Sequence, residues 1–340
     1  MNLDLLKKTA AAMVAPGKGI LAMDESHPTC NKRFEALGIA TTVENRRAYR
    51  DMLVTGENLV DYLGGAILFD ETLRQKTLAE VPFAEHLSSI GVVPGVKVDA
   101  GAKALALHSN EKVTEGLDGL RERLKEYFDL GARFAKWRAV ITIGDGIPSD
   151  ACLVANAHAL ARYAALCQEA DIVPIVEPEV LIDGDHTIQR SFEVTQKTQQ
   201  LTFEHLQQQG IVWEGMVLKP SMVISGKDCP QQAGIQQVAE ETIRCLLSTV
   251  PKEVPGIAFL SGGQSDEDAT AHLNAMNSMD QNLPWRVTFS YGRALQHAAM
   301  QAWNGSADNV AKAQAVAVHR ARMNGLASNG EYAAELEKGA

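Results

Sequence analysis

Hydrophobic residues in this chain fall into short runs that each end on or near a polar side chain. The runs cover residues 19–24, 66–70, 92–99, 134–140, 173–177, 216–219, 257–261 and 286–290. Between them the apolar spacing turns helical, as over 116–130, where Leu117, Leu120, Leu124 and Phe128 recur at near-helical intervals. Residues 151–170, 187–209 and 307–324 read as further helices, and Ser265-Asp266-Glu267-Asp268 reads as a helix N-cap with acids in its first turn. About eight strand–helix alternations predict a single (β/α)8 barrel over residues 1–327. A short amphipathic helical extension should open that span, and residues 328–340 should form a loose tail. An open doubly wound sheet is the competing architecture, but it calls for a Gly-rich fingerprint after an early strand, and no GxGxxG is present.

In a barrel, side chains at the C-terminal ends of strands carry the chemistry. Here those ends are Asp24, Asp70, Asp99, Arg138, Glu177, Lys219, Ser261 and Ser290. Three runs carry two charges spaced two apart: Lys97 and Asp99, Lys136 and Arg138, Glu177 and Glu179. Alternate strand residues share a face, so each pair points the same way while Val98, Trp137 and Pro178 point oppositely. Charges on helix-covered parallel strands are costly to bury, which marks them as functional candidates.

Lys219 closes the apolar run Met216-Val217-Leu218 and precedes Pro220, which holds it on extended backbone. An amine that loses hydration at such a position is more readily neutral, and a neutral amine can attack a ketone to form a Schiff base. The segments Ser261-Gly262-Gly263 and Ser290-Tyr291-Gly292-Arg293 follow the last two runs. Glycine backbone N–H groups, a helix N-terminus and a bidentate arginine together suit a phosphate.

Composition narrows the setting. The chain has 340 residues, 46% hydrophobic and 22% charged, with net charge −10 and pI about 5.4. The acidic balance argues against nucleic acid or an anionic membrane as a partner. No apolar run approaches the ~18 residues of a spanning helix, and the start reads as amphipathic rather than as a signal peptide. Five cysteines without a CxxC pair predict reduced buried thiols and a cytoplasmic setting. The nine histidines form no HExxH or tight cluster, so no metal cofactor is expected, and His186 in Asp183-Gly184-Asp185-His186 reads as a solvated loop residue.

Seven segments, in order and over nearly the whole chain, resemble the class I fructose-bisphosphate aldolases: residues 20–26, 94–99, 134–138, 173–179, 217–222, 259–265 and 290–296. The resemblance implies a cytoplasmic homotetramer of glycolysis and gluconeogenesis. Such an enzyme cleaves fructose 1,6-bisphosphate to dihydroxyacetone phosphate and glyceraldehyde 3-phosphate, without a metal. It also implies roles. Lys219 forms the Schiff base, Glu177 takes the proton from the carbon-four hydroxyl, and Lys136 assists carbinolamine formation and dehydration. Glu179 is expected to hold Lys136, and Asp24 to position the substrate hydroxyls and the lysines. Ser261, Gly262, Gly263, Ser290, Gly292 and Arg293 should hold one phosphate, and Ser26, Lys32 and Arg33 the other, with Lys97 and Arg138 also contacting substrate. Longer members of the family end in a terminal tyrosine, which Tyr332 does not match, so tail-assisted proton transfer is not expected. Two other readings remain open: a metal-independent phosphosugar isomerase using Glu177 as base, and a non-catalytic aldolase-like binding protein.

Overall fold

Eight parallel strands close on themselves in sequence order in the computed structural model, which describes residues 1–279 and 282–339. They are β1 Gly19–Met23, β2 Leu63–Leu68, β3 Val93–Lys97, β4 Phe134–Ile141, β5 Val173–Val180, β6 Val217–Leu218, β7 Gly256–Phe259 and β8 Arg286–Tyr291. Each pairs in parallel with its neighbours, and β8 pairs back to β1. The architecture is the expected (β/α)8 barrel, and each sequence run lies on or beside a strand.

Alternation along the strands builds two apolar layers. Outward residues such as Leu21, Met23, Val96, Trp137, Val176, Leu218 and Phe259 pack under the surrounding helices in one large cluster. Inward residues Ile20, Ala22, Ile67, Phe134, Val173, Ile175, Val217 and Ala258 form a second cluster inside the barrel. The helix Leu3–Met13 closes this second cluster from below with Leu6, Ala10 and Met13. Glycine is needed where the floor is tightest: a Cβ on Gly95 would run into the Phe134 ring, and one on Gly256 would sit 2.7 Å from Val14.

Two features differ from the sequence reading. The predicted helix over 116–130 starts only at Leu120, because Gly116 and Gly119 take φ of 130° and 66° and break the pattern. Ahead of it lies a hairpin, Ala102–Ala104 with Lys112–Thr114, which no run of hydrophobic residues announced. At the other end of the chain, Glu337 accepts from Arg320 and Tyr332 and lies 3.0 Å from His319, so residues 332–337 lie against the helix Val310–Ser328.

Candidate active site

The C-terminal mouth of the barrel opens into a cavity of about 720 Å³. Its wall follows from the strand period. On β5 the inward series is Val173, Ile175, Glu177, Glu179: apolar at the floor, charged at the mouth. On β4 it is Phe134, Lys136, Arg138; on β1, Ile20, Ala22, Asp24; on β6, Val217, Lys219. The same rule corrects one strand end. On β2 the inward series Gly65, Ile67 continues to Phe69, which lines the cavity. Asp70 falls one residue out of phase. It bonds Arg74 and accepts from the Tyr127 hydroxyl, outside the cavity.

Glu177 stands between two lysines. Its Oε1 lies 3.3 Å from Lys219 Nζ and its Oε2 3.5 Å from Lys136 Nζ. Both are ion-pair contacts without hydrogen-bond alignment, and Oε2 has no hydrogen-bond donor. Lys136 has a closer partner, Asp24 Oδ2 at 2.6 Å. Burial alone would raise the Asp24 carboxyl, but Lys136, Lys219 and Lys97 outweigh it and hold it at about 2. Burial would lower the Lys136 ammonium, and Asp24, Glu177 and Asp99 together push it well above its usual range. Lys136 is therefore a fixed cation. Lys219, also buried, has the unaligned Glu177 contact as its ion pair among the described residues.

The expectation that Glu179 holds Lys136 is not met. Glu179 pairs instead with Arg138 Nε. The register explains this: Lys136 lies beside Ile175 and Arg138 beside Glu177, so the next inward carboxylate, Glu179, reaches Arg138. That pairing raises the Arg138 guanidinium against the opposing effect of burial. Lys97 donates to Asp99 at 2.5 Å, and Asp99 also accepts from the Gly101 and Arg138 backbone N–H groups, which ties the end of β3 to β4.

Seven cations and six carboxylates line the cavity, a slight positive excess in a chain of net charge −10. Arg293 is the lining cation without a carboxylate partner among the described residues; it donates to the Gln264 backbone carbonyl, joining the loops after β7 and β8. Beside it Gly262 and Gly263 take φ of 53° and 92°, left-handed values that a side chain would strain. Ser261, Ser290 and Gly292 line the same end, and the Ser290 hydroxyl is buried without a partner. Ser26 and Arg33 also line the mouth, on the segment after β1, the strand that pairs with β8.

Lys32 is the exception among the expected site residues. It is exposed and does not line the cavity, because the helix His27–Glu35 turns Arg33 inward and Lys32 outward. Sequence reading missed several lining residues: Glu25, Thr29, Asp183 and Lys227. Thr29 follows Ser26 by one helical turn, with their hydroxyls 3.3 Å apart, a spacing visible in the sequence. Lys227 and Asp183 pair across two loops, and nothing in the sequence joins them. His186 is buried in that region with its Nδ1 unpartnered, where a solvated loop residue was expected. No group of three or more His, Cys, Asp or Glu among the described residues could hold a metal ion, and no helix among them is long and apolar enough to cross a membrane.

With this geometry in view, the chain matches the family described as fructose-bisphosphate aldolase class-I over residues 5–340. It is 59% identical over 333 residues to a probable fructose-bisphosphate aldolase class 1 of Xanthomonas campestris, covering 98% of this chain and 99% of that protein. It is 50% identical to fructose-bisphosphate aldolase 1 of Toxoplasma gondii, covering 96% and 90%. Among solved structures it resembles the Plasmodium falciparum aldolase in complex with TRAP and a small molecule inhibitor, at TM-score 0.95 and 47% identity, over 97% of this chain and 95% of that one. The chain belongs to the class I fructose-bisphosphate aldolases, carbon–carbon lyases that act on phosphosugars.

Proposed function

We propose that this protein cleaves fructose 1,6-bisphosphate, reversibly and without a metal, through a Schiff base on Lys219. The observation that carries the reading is the buried Lys136–Glu177–Lys219 group at the barrel mouth, in which one lysine is tightly paired and the other is not. The Lys219 amine attacks the ketone carbon. The carbinolamine oxygen takes the protons that the Lys219 nitrogen sheds, relayed through Glu177, and leaves as water, while the fixed ammonium of Lys136 steadies the charge on that oxygen. The iminium left behind is an electron sink. Glu177 removes the proton from the carbon-four hydroxyl, the bond between carbons three and four breaks, and its electrons form an enamine on Lys219 while glyceraldehyde 3-phosphate departs. Protonation of the enamine and hydrolysis by water then release dihydroxyacetone phosphate and Lys219.

In this reading Arg293, Ser261, Ser290 and the glycines of both late loops, which line the cavity, take one phosphate, and Ser26 and Arg33 take the other. Lys97, Arg138, Glu179 and Asp24, on other strands of the cavity wall, orient the sugar hydroxyls. In the cell we read the enzyme as a cytoplasmic homotetramer of glycolysis and gluconeogenesis. A solution mass of one chain would count against the tetramer.

The test is borohydride trapping with dihydroxyacetone phosphate, read by peptide mass spectrometry. The adduct is expected on Lys219, and aldol cleavage is expected to survive prior treatment with EDTA. Label mainly on another residue, or none, would overturn the mechanism, and an isomerase using Glu177 as base would give no adduct. Activity lost to chelation and restored by zinc would overturn the metal-independent reading.

A further inference from the structure

At the cavity wall, running inward from Arg33, lies a charge arrangement whose other members, Glu25 and Arg50, the proposed chemistry does not use. Glu25, next after Asp24, has a side chain only 8% exposed, and two guanidinium groups converge on it. Arg33 Nη1 donates to Oε1 at 2.5 Å and Arg50 Nη1 to Oε2 at 2.5 Å. Arg50 also donates to the Glu25 backbone carbonyl. The two arginines differ in every other respect. Arg33 is 29% exposed and lines the cavity. Arg50 is 3% exposed, stacks against Tyr49 with 5.4 Å to the ring centre, and belongs to the helix Val43–Val54. Tyr49 is itself fixed: its hydroxyl donates to Gln296, which donates to the Ala22 carbonyl on β1.

An arginine already bonded to a buried carboxylate must release it before it can grip a phosphate. Leaving that carboxylate buried and unpaired is costly. Here release strands nothing, because Arg50 stays on Glu25. We propose that Arg50 is a positioning residue that neutralises Glu25, so that Arg33 can exchange that carboxylate for the second phosphate of a bisphosphate substrate. The proposal rests on Arg33 serving the second phosphate. Fructose 1-phosphate, which has no second phosphate, provides the internal control.

The arrangement makes opposite demands of its two inner members. Without Arg50, Glu25 has Arg33 as its sole partner and holds it away from substrate. Without the Glu25 charge, Arg33 is unrestrained. The experiment compares KM for fructose 1,6-bisphosphate and fructose 1-phosphate in Arg33→Ala, Arg50→Met, Glu25→Gln and the double variant Glu25→Gln/Arg50→Met. Arg50→Met is expected to raise KM for the bisphosphate by about tenfold or more, with KM for fructose 1-phosphate within about twofold. The double variant should recover most of that loss, which a merely structural role for Arg50 would not predict. Glu25→Gln alone should not raise KM for the bisphosphate, and it decides the question if Arg50→Met fails to fold. If Glu25→Gln raises that KM as Arg33→Ala does, the carboxylate holds Arg33 in its working pose and the proposal is wrong. Equal losses on both substrates in Arg50→Met, without recovery in the double variant, also overturn it. If Arg33→Ala itself spares the bisphosphate, the phosphate assignment has failed and the proposal falls with it. A normal Arg33→Ala effect beside a failed Arg50 series would sink the proposal alone.

Discussion

The floor and the mouth of the barrel stand on the same strands, one or two inward positions apart, and could hardly differ more. At the floor, Ile20, Phe134, Val173 and Val217 pack with no polar atom among their side chains. At the mouth, the next inward residues are Asp24, Lys136, Glu177 and Lys219. Burying apolar side chains stabilises the fold by roughly 1.5–3 kcal/mol each. Burying charges costs stability unless each is matched. The mouth meets that condition by pairing: Lys97 with Asp99, Lys136 with Asp24, Arg138 with Glu179. The two places where pairing is loose or missing, Lys219 and Arg293, are those the proposed chemistry uses for attack and for phosphate. Fold stability and reactivity are thus separated along single strands.

That separation should show most strongly in a matched pair of substitutions. Glu177→Gln keeps the shape of the mouth and removes the base, so turnover is expected to fall roughly 10²–10⁴-fold with little change in KM. Phe134→Ala empties the floor, and is expected to cost about 3–5 kcal/mol of stability. Its turnover per folded molecule, measured below the new melting temperature, should stay within about twofold of the parent. Near-normal turnover in Glu177→Gln would move the base to another carboxylate, Glu179 first. A large loss of turnover in Phe134→Ala would show that floor and mouth are coupled.

Acid sharpens the comparison from the mouth side alone. The floor has nothing to titrate. Asp24 is held at about 2, below its ordinary 3.8, by Lys136, Lys219 and Lys97. A depressed carboxyl contributes stability above its unfolded value and loses it as pH falls through the folded one. Asp24 should therefore contribute about 2 kcal/mol at neutral pH, lost between about pH 4 and pH 2. Denaturant melts across that window should show a flatter acid limb in Asp24→Asn than in the parent. Parallel limbs would mean that Asp24 is no more stabilised in the folded state than in the unfolded chain.

The floor and the strand ends were legible in the sequence because both follow from a period of two and from run length. Lys219, Glu177, Lys136 and Asp24 could be placed at the mouth on that ground. What failed was what depends on register between strands or on helices distant in sequence. Glu179 meets Arg138 rather than Lys136 because β4 and β5 are offset by tertiary packing, which no single strand encodes. Asp70 ends a run but lies out of phase with Ile67, a one-residue difference that flips the side chain to the other face. Arg50 gives no sign of belonging to the site, since it lies 25 residues beyond Glu25 on another helix.

The smallest expected effect tests Lys32, an expected phosphate contact that lies outside the cavity. Lys32 and Arg33 are adjacent, and the sequence gives no reason to separate them. The helix His27–Glu35 does: it turns Arg33 to the cavity and Lys32 to solvent. An exposed ammonium outside the cavity can act on a phosphate through water and salt, where such pairs contribute about 0–1 kcal/mol. Lys32→Ala should therefore raise KM for fructose 1,6-bisphosphate by no more than about fivefold, and the effect should fade as ionic strength rises past about 0.15 M. Arg33→Ala should exceed it, and its effect should persist in salt, because a direct charge-assisted hydrogen bond contributes roughly 1.5–3 kcal/mol. If the two losses are equal and equally resistant to salt, Lys32 reaches the phosphate directly. The helix His27–Glu35 must then rotate or tilt when substrate binds, and the mouth would differ from the floor in mobility as well as in charge.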